Sequence, residues 1–377
     1  MDPRNDGMTA MTLSTNSLPL DAATTAAARE EPDFGNQSSD SELSALCDRI
    51  RNRYVSSDWD NEFITRLELV LCRTGDGRLL PNPKIFHGET GGIAVTGPSR
   101  DGKSTLVRRV IERIFAERLD DNRPGKHVIY HRVRTAATLK SVYTDLCKAT
   151  GFTSFPARMT VPEAHDLAIH RLRLAGIRIL ILDEVHNLLG YDNKAVNLFL
   201  KTFVQDGGGF CLIVIGTPVL RKFIFEQVEN VELAGRLLDM PLEQFPEATS
   251  LGLISGALEG LCSDAGLRLA PSIHRDPYFA HRILEGCRGS YGRSMRLIST
   301  SIVLALEEGA SAVDIEDFRR VFDLNLLYFN PENPFRLSDW ASRSTAGFGQ
   351  PGQVSDTDFG AANKKPQSRT RRKRSKK

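Results

Sequence analysis

A glycine-rich segment ahead of a helical pattern has the residue types and spacing that hold phosphate groups. It reads Gly-Pro-Ser-Arg-Asp-Gly-Lys-Ser and fits the pattern G-x-x-x-x-G-K-[ST] after an apolar run. In such a loop, backbone N–H groups surround phosphate oxygens, the lysine reaches the β and γ phosphates, and the serine hydroxyl binds Mg²⁺. A glycine-rich turn without nucleotide is the less specific interpretation. We predict an ATP and Mg²⁺ site formed by Gly97, Pro98, Ser99, Arg100, Asp101, Gly102, Lys103, Ser104 and Thr105, with Ser104 on the metal and Lys103 assisting catalysis.

Two acids end a later apolar run. Asp183 and Glu184 follow Ile-Leu-Ile-Leu, where unpaired carboxylates would be costly without a cation or hydrogen-bond donors nearby. We predict that Asp183 shares the Mg²⁺ of Ser104 and that Glu184 orients and deprotonates the water that attacks the γ-phosphate. Paired acids also begin helices, so it is their combination with the phosphate loop that favours catalysis.

The elements that must position these groups read as buried strands alternating with helices. Short apolar runs lie at Gly92–Thr96, His127–Val133, Ile177–Leu182 and Phe210–Gly216. This alternation predicts an α/β fold, a parallel sheet with helices on both faces, in which ligands bind at the carboxyl ends of the strands. Both candidate motifs fall at such ends.

Two phrases in the sequence carry a resemblance to a known family. Leu-Asp-Glu-Val-His-Asn-Leu-Leu begins at Leu182, and Phe-Cys-Leu-Ile-Val-Ile-Gly-Thr-Pro begins at Phe210. Over residues 41–325 the chain resembles the TniB family of transposition ATPases, relatives of the TnsC regulators. The resemblance implies a P-loop AAA+ fold with a small all-helical lid. It also implies ATP-dependent assembly on double-stranded DNA as a ring or helical filament, recruitment of a TniA- or TnsB-like DDE transposase, a TniQ-like target selector, and disassembly by ATP hydrolysis.

The same resemblance implies roles for residues outside the two motifs. Thr217 would act as sensor 1 in place of the usual Asn. Arg236 would be an arginine finger presented to a neighbouring subunit, although a lone helical arginine is also an ordinary surface residue. Arg293 would be sensor 2, with Arg296 as the alternative one turn along the helix.

A basic cluster after the second predicted strand corresponds to the region that faces DNA in the resembled proteins. Its members are His131 together with the predicted DNA-binding residues Arg132, Arg134, Thr135, Thr138 and Lys140. Contacts to backbone phosphates need only donors and positive charge, so binding would be independent of base sequence and sensitive to salt. A solvated loop is the alternative.

His186 stands two residues after Glu184. A lone histidine lacks the partners of a metal site. We interpret it as a polar neighbour that couples to Glu184 rather than as a base or a metal ligand.

Composition and pattern divide the chain into five regions. We predict a disordered segment over 1–40, a helical extension over 41–90, the P-loop AAA+ core over 91–246, a helical lid over 247–328, and a linker with a basic disordered tail over 329–377. The boundaries follow the start of helical periodicity, the end of strand signals after Pro246, and the polar, basic composition of the last region.

Charge and apolar content limit the classes of function. The net charge is +2, but nine basic residues lie after position 360 and the rest of the chain is net negative. The basic tail could therefore bind a polyanion or an acidic protein face, or serve only solubility. No apolar run approaches the roughly 20 residues of a membrane span. The N-terminus lacks the pattern of a secretory signal, and the six cysteines are scattered, so we expect no membrane partner, a cytoplasmic location and a reducing compartment.

Two other functions remain open at this point. A replication initiator or helicase loader would require a helicase-docking segment, which we cannot identify in the sequence. A nucleotide-gated signalling NTPase would require further repeat or effector domains, for which the C-terminal region offers little room. Transposition regulation is the function that the resemblance favours.

Overall fold

The structure is a computed structural model that describes residues 37–121, 123–190, 192–205, 209–242, 247–324 and 333–336. Residues 1–36 of the predicted disordered segment 1–40 and the basic tail lie outside these ranges, whereas residues 37–40 belong to a helix. By its contacts the chain divides into a first unit, residues 1–42, and a second unit, residues 43–377. The sheet, the lid and the candidate site all belong to the second unit.

Helices and strands alternate through the described part of the chain. The helices are α1 Gln37–Arg51, α2 Asp58–Val70, α3 Lys103–Phe115, α4 Leu139–Ala149, α5 Val161–Leu174, α6 Asn193–Val204, α7 Pro218–Arg221, α8 Val231–Ala234, α9 Glu247–Ala265, α10 Pro271–His274, α11 Phe279–Gly286, α12 Tyr291–Glu307 and α13 Ile315–Leu324. The strands are β1 Leu71–Arg73, β2 Leu79–Pro83, β3 Ile85–Phe86, β4 Glu89–Thr90, β5 Gly92–Thr96, β6 Val128–Arg132, β7 Ile179–Asp183, β8 Cys211–Gly216, β9 Leu237–Pro241, β10 Arg268–Leu269 and β11 Ala312–Val313.

Five parallel strands form the central sheet in the order β6-β7-β8-β5-β9. Four of them match the predicted apolar runs to within two residues. The fifth, β9, is missing from the prediction because its short sequence is interrupted by Asp239. It is placed by pairing with β5, in a register that sets Leu237 opposite Gly92. The loop after β5 and the two acids at the end of β7, Asp183 and Glu184, therefore meet at one edge of the sheet.

Helices cover both faces of this sheet. On one face, Leu180 and Val214 belong to the same buried cluster as residues of α4, α5 and α6. On the other face, Ile93, Ile181 and Ile213 pack with residues of α2 and α3. Side chains of successive strand residues point to opposite faces, so β7 and β8 contribute to both layers. The predicted α/β architecture is confirmed.

The extension before β5 contains more than the predicted helices. α1 starts at Gln37, slightly before the predicted start of folding, and α2 packs on the sheet. Two antiparallel hairpins, β1-β2 and β3-β4, then lead into β5. Their two- to five-residue strands are too short to show a periodicity, and the second turns through His87 and Gly88 at φ 52° and 86°.

A helical subdomain follows the sheet, as predicted. Helices α9, α11, α12 and α13 enclose a separate buried cluster, and β10 pairs with β11 over two residues. Phe335 also belongs to this cluster, with its ring 5.6 Å from that of Phe318 and 5.8 Å from that of Phe279. The predicted linker thus contributes an aromatic anchor to the lid, because one phenylalanine in a polar stretch gives no periodic signal.

Candidate nucleotide-binding site

The glycine-rich loop curls between the end of β5 and the start of α3. Gly102 has φ 88°, a left-handed conformation that glycine adopts without a steric penalty. Its carbonyl accepts the N–H of Leu106 at 2.8 Å, which is the first turn of the helix. At Gly97 a Cβ atom would lie 3.1 Å from the Leu242 carbonyl oxygen. The loop therefore needs both glycines to direct its N–H groups toward one point at the helix N-terminus.

Lys103 is a buried cation inside this loop. Its Nζ donates to the carbonyl oxygens of Gly97, at 2.9 Å, and Pro98. Burial lowers the pKa of the ammonium, and the nearby charges of Asp101, Glu184 and Asp183 oppose that shift. A buried charge is stabilised by an ionic partner more than by carbonyls. The loop accordingly fits a polyphosphate.

Asp183 ends β7 with both carboxylate oxygens engaged. Oδ2 accepts the hydroxyl of Tyr130, and Oδ1 accepts the N–H of Glu184 at 2.8 Å. Burial raises the pKa of Tyr130, and the charge on Asp183 adds to that shift. The phenol therefore stays protonated and donates. Asp183 is held in one orientation near Lys103, as a carboxylate that binds a divalent cation should be.

Glu184 occupies a strained conformation. It has φ 58°, which is uncommon for a residue other than glycine and occurs more often at functional sites. Its Oε2 lies 3.3 Å from Nε2 of His186, and its side chain is 33% exposed. Burial lowers the pKa of His186 despite the carboxylate beside it. The pair gives Glu184 a polar neighbour, as the sequence predicted.

A cavity of about 380 Å³ connects these groups. It is lined from Ser99 through Thr105 of the loop and by Glu184, Thr217, Arg293 and Arg296, so both candidate lid arginines reach it. Phosphate donors, a carboxylate and cations thus converge on one space. Such convergence of polar groups is typical of a ligand site.

Sequence reasoning missed one wall of this cavity. The segment between α1 and α2 contributes Tyr54 and Val55, and the first turn of α2 contributes Trp59. The hydroxyl of Tyr291 donates to the Val55 carbonyl at 3.0 Å, and its ring meets that of Trp59 edge-on at 5.9 Å. This aromatic wall offers apolar surface and backbone groups to a planar base. The only hint of this wall in the sequence was the pair of aromatic residues Tyr54 and Trp59 near the junction of the two predicted helices.

The lid helix α12 rests directly on the phosphate loop. Ser290 caps the helix and donates its hydroxyl to Oδ1 of Asp101. Burial raises the pKa of Asp101, while the Ser290 hydrogen bond and the charges of Lys103 and Arg293 oppose that shift. A Cβ atom at Gly292 would lie 2.9 Å from the Asp101 carbonyl carbon. Lid and loop are therefore in backbone contact.

Arg236 is not brought to this site. It immediately precedes β9, and its carbonyl accepts the N–H of Gly92 at the start of β5. The phosphate loop follows the other end of β5. Five strand residues span about 16 Å, which is too far for an arginine side chain to bridge. Arg236 lies instead at the amino edge of the sheet.

The predicted DNA-binding residues divide into two groups. Arg132, Arg134 and Thr135 are exposed, and they line a second cavity of about 480 Å³ with Glu184 and Asn187. They are therefore neighbours of the candidate catalytic carboxylate.

The other members of the basic cluster are engaged within the chain or withdrawn from the surface. Thr138 caps α4, accepting the N–H of Ser141 at 3.1 Å, and Lys140 is half-buried in the first turn of that helix. The expectation that His131 faces outward is wrong. It lies in the buried strand β6 and is only 1% exposed.

Other site types are not indicated. All six cysteines are free, and the described residues contain no group of three or more His, Cys, Asp or Glu side chains placed to hold a metal ion. Among the helices described, none combines the length and apolar character needed to cross a membrane.

Comparison with known proteins adds a family match. The AAA domain family matches residues 87–224. Solved structures that resemble the chain include the Aeropyrum pernix ORC1 protein in complex with DNA (19% identity, 62% of this chain and 59% of that one, TM-score 0.47). Others are Cdc6p from Pyrobaculum aerophilum (17%, 61% and 61%, TM-score 0.44) and the RuvB Holliday junction branch migration motor of Thermotoga maritima (12%, 77% and 69%, TM-score 0.35).

These likenesses are too low to assign a function, and the chain spans only 59% and 61% of the first two proteins. No curated protein matches the sequence, and the comparisons do not single out the TniB family. The AAA match contains the phosphate loop, Asp183 at the end of β7, Glu184 and Thr217. Together with the parallel sheet and helical lid, it gives the chain the fold of a P-loop AAA+ ATPase.

Proposed function

We propose that this chain hydrolyses ATP at an interface between two copies of itself and that it acts on double-stranded DNA. One observation carries the first part. Lys103, Asp183 and Glu184 converge at the carboxyl edge of the sheet, whereas Arg236 lies at the opposite edge. A molecule that carries its nucleotide-binding groups at one edge of the sheet and Arg236 at the other suits head-to-tail assembly, which closes as a ring or continues as a filament.

Each group of the site has a defined task in this proposal. Lys103 would pair with phosphate oxygens, while Ser104 and Asp183 would hold Mg²⁺. Bound MgATP supplies the phosphoryl group that is transferred to water. Glu184 would accept the proton of that water at its carboxylate, and its partial exposure leaves the carboxylate accessible from the cavity.

The sensors and the finger complete the arrangement. Thr217 and Arg293 line the cavity and would contact the phosphates from the sheet and from the lid. Arg236 of a neighbouring copy would stabilise the charge that develops on the transferred phosphoryl group.

The DNA part of the proposal rests on charge. Arg132 and Arg134 are exposed at the end of β6, and nine basic residues follow position 360. Such groups contact phosphates without reading bases.

Among DNA-binding ATPases, the sequence from Leu182 to Leu189 favours a regulator that marks a target for a DDE transposase together with a target selector. None of the solved structures named above is a transposition protein, so a replication initiator or helicase loader is the second candidate. Binding of a purified DDE transposase or a replicative helicase by the ATP-loaded protein separates these tasks.

Complementation tests the interface. Arg236→Ala and Glu184→Gln should each bind ATP yet lose hydrolysis by about 10³-fold, because a finger or a base is missing at every interface. In an equal mixture, about a quarter of the interfaces combine a good finger with a good base, and turnover should recover to that extent. Absence of recovery at every mixing ratio, with both variants assembled, would contradict hydrolysis between copies.

A further inference from the structure

Arg236 forms a two-bond ion pair with Glu89, which lies in the β3-β4 hairpin that precedes β5. Its Nε donates to Oε2 of Glu89 at 2.8 Å and its Nη2 donates to Oε1 at 2.9 Å. Its Nη1 donates to the backbone carbonyl of Glu232. Glu89 and Arg236 are 147 positions apart in the chain. A two-pronged carboxylate–guanidinium fork of this kind fixes the plane of the arginine as well as its position.

The backbone on both sides of this fork is fixed by the sheet. Beside Glu89, the buried Thr90 donates its hydroxyl to the carbonyl oxygen of Phe210, at 2.7 Å, where β8 begins. The carbonyl of Arg236 accepts the N–H of Gly92 at 3.0 Å. Backbone hydrogen bonds to the sheet therefore hold both Glu89 and Arg236 in place. Many surface ion pairs lack such support and add little to the stability of a protein.

The hydrogen bonds to Glu89 and Glu232 leave part of the Arg236 guanidinium available to bind a further group. Arginine has five N–H bonds, and the contacts to Glu89 and Glu232 use one on each nitrogen. One N–H remains on Nη1 and one on Nη2. The Arg236 side chain is 19% exposed. The free N–H bonds are suited to a phosphate, the anion that arginine recognises best through paired donors.

Glu89 remains a carboxylate near neutral pH. Its pKa is lowered, chiefly by the hydrogen bond from Arg236 and with a smaller contribution from Gln205, whose Nε2 lies 3.4 Å from Oε1. Its side chain is 38% exposed, so water screens the attraction to Arg236. Screening weakens any competition between Glu89 and a phosphate but leaves the directional hydrogen bonds in place.

We propose that Glu89 is a positioning residue for Arg236, which it orients toward the nucleotide phosphates of a neighbouring copy. This inference rests on the proposed function, in which Arg236 acts across an interface. A preoriented donor loses less rotamer freedom when it binds and needs no reorganisation as charge develops. Glu89 thereby raises the turnover number without touching the nucleotide.

The direction in which kcat changes shows whether Glu89 orients Arg236 for catalysis or holds it away from the nucleotide. Glu89→Gln and Glu89→Ala should lower kcat about tenfold with KM for ATP unchanged, because a misdirected finger costs less than an absent one. If the ion pair instead kept Arg236 from reaching the nucleotide, substitution of Glu89 would raise kcat, and the inference would be overturned. Unchanged kcat beside an inactive Arg236→Ala would also overturn it while leaving the proposed function intact. An active Arg236→Ala protein would instead refute the proposed function.

Subunit mixing shows through which copy Glu89 acts. The reference is the active mixture of Glu184→Gln with Arg236→Ala, in which the Glu184→Gln copy supplies the finger. Adding Glu89→Ala to the Glu184→Gln chain should lower the recovered turnover about tenfold. Adding it to the Arg236→Ala chain should change nothing, since that copy supplies only the base. Equal losses in the two mixtures would mean a general structural effect and would overturn the inference.

A matched control checks for simple loss of an ion pair. Glu308 also forms a two-bond fork with an arginine, here Arg320 on the lid, through Nη1 and Nη2 at 2.8 and 2.6 Å from its two oxygens. Glu308→Gln should leave kcat and both mixtures unchanged. Thermal unfolding of the Glu89 variants establishes that they fold. If Glu308→Gln lowers kcat as much as Glu89→Gln, the effect is not specific to the finger and the inference fails.

Discussion

The hydroxyl of Tyr130 donates a hydrogen bond to Oδ2 of Asp183 across adjacent strands of the sheet. The guanidinium of Arg108 lies over the Tyr130 ring, 5.0 Å from its centroid. The ring is thereby packed between a helix and the strand, and its hydroxyl is held at the carboxylate. This contact, together with the N–H of Glu184, orients the Asp183 carboxylate at the end of β7.

Tyr130→Phe removes that hydrogen bond while keeping the ring. A residue that orients a metal-binding carboxylate typically affects metal affinity by 10- to 100-fold. We expect the Mg²⁺ concentration for half-maximal ATP turnover to rise about tenfold, with little change in nucleotide binding without Mg²⁺. Titration of Mg²⁺ against turnover and against nucleotide binding measures both. Tyr278→Phe, at a position 57% exposed on the lid, is the control. An unaltered Mg²⁺ requirement in Tyr130→Phe would show that Asp183 does not need this partner.

Gly292→Ala tests the contact between lid and phosphate loop. The added Cβ would lie 2.9 Å from the Asp101 carbonyl carbon and closer still to the Arg100 carbonyl oxygen, so the lid must shift away. We expect ATP affinity to fall about tenfold, since misplaced contacts of this kind cost one to two orders of magnitude. Equilibrium binding of ATP checks this.

Gly256→Ala is the matched control for that variant. Gly256 lies in the lid helix α9, and a Cβ there meets nothing within 4 Å. Alanine at a helix interior is favoured over glycine by about 1 kcal/mol, so this variant should bind ATP normally and unfold at a slightly higher temperature. Equal affinities for the two variants would contradict a role of the lid contact in nucleotide binding.

The basic tail offers a test of DNA binding. Residues 361–377 carry nine positive charges. If several of these charges neutralise DNA phosphates, their removal should flatten the slope of log affinity against log salt by about 0.9 for each phosphate that the tail neutralises. ATP turnover should not change. If the tail instead docks on an acidic protein face, the salt slope stays the same and capture of that protein fails. A deletion that changes neither would reduce the tail to a solubility segment.

Much of the site could be predicted because its motifs are local. The phosphate loop from Gly97 to Ser104 and the pair Asp183 and Glu184 are contiguous in sequence, and buried apolar runs mark the strands that carry them. The resemblance also pointed to Arg293, which lines the cavity, but nothing in the sequence predicted the contact between Ser290 and Asp101.

The features that escaped prediction depend on tertiary contacts. Strand β9 has no pattern of its own and exists through pairing with β5. The aromatic wall joins Trp59 to Tyr291, and the fork joins Glu89 to Arg236, residues far apart in the chain. A single sequence without periodicity carries no signal for such pairs.

The central claim is tested most directly by ATP affinity and turnover in two variants. Lys103→Ala deletes the buried charge that pairs with phosphates, so it should lose ATP binding. Glu184→Gln keeps the shape of the side chain and removes the base, so it should bind ATP with near-native affinity and hydrolyse it about 10²- to 10⁴-fold more slowly. Native turnover by Glu184→Gln, or native ATP affinity in Lys103→Ala, would contradict the assignment of this site.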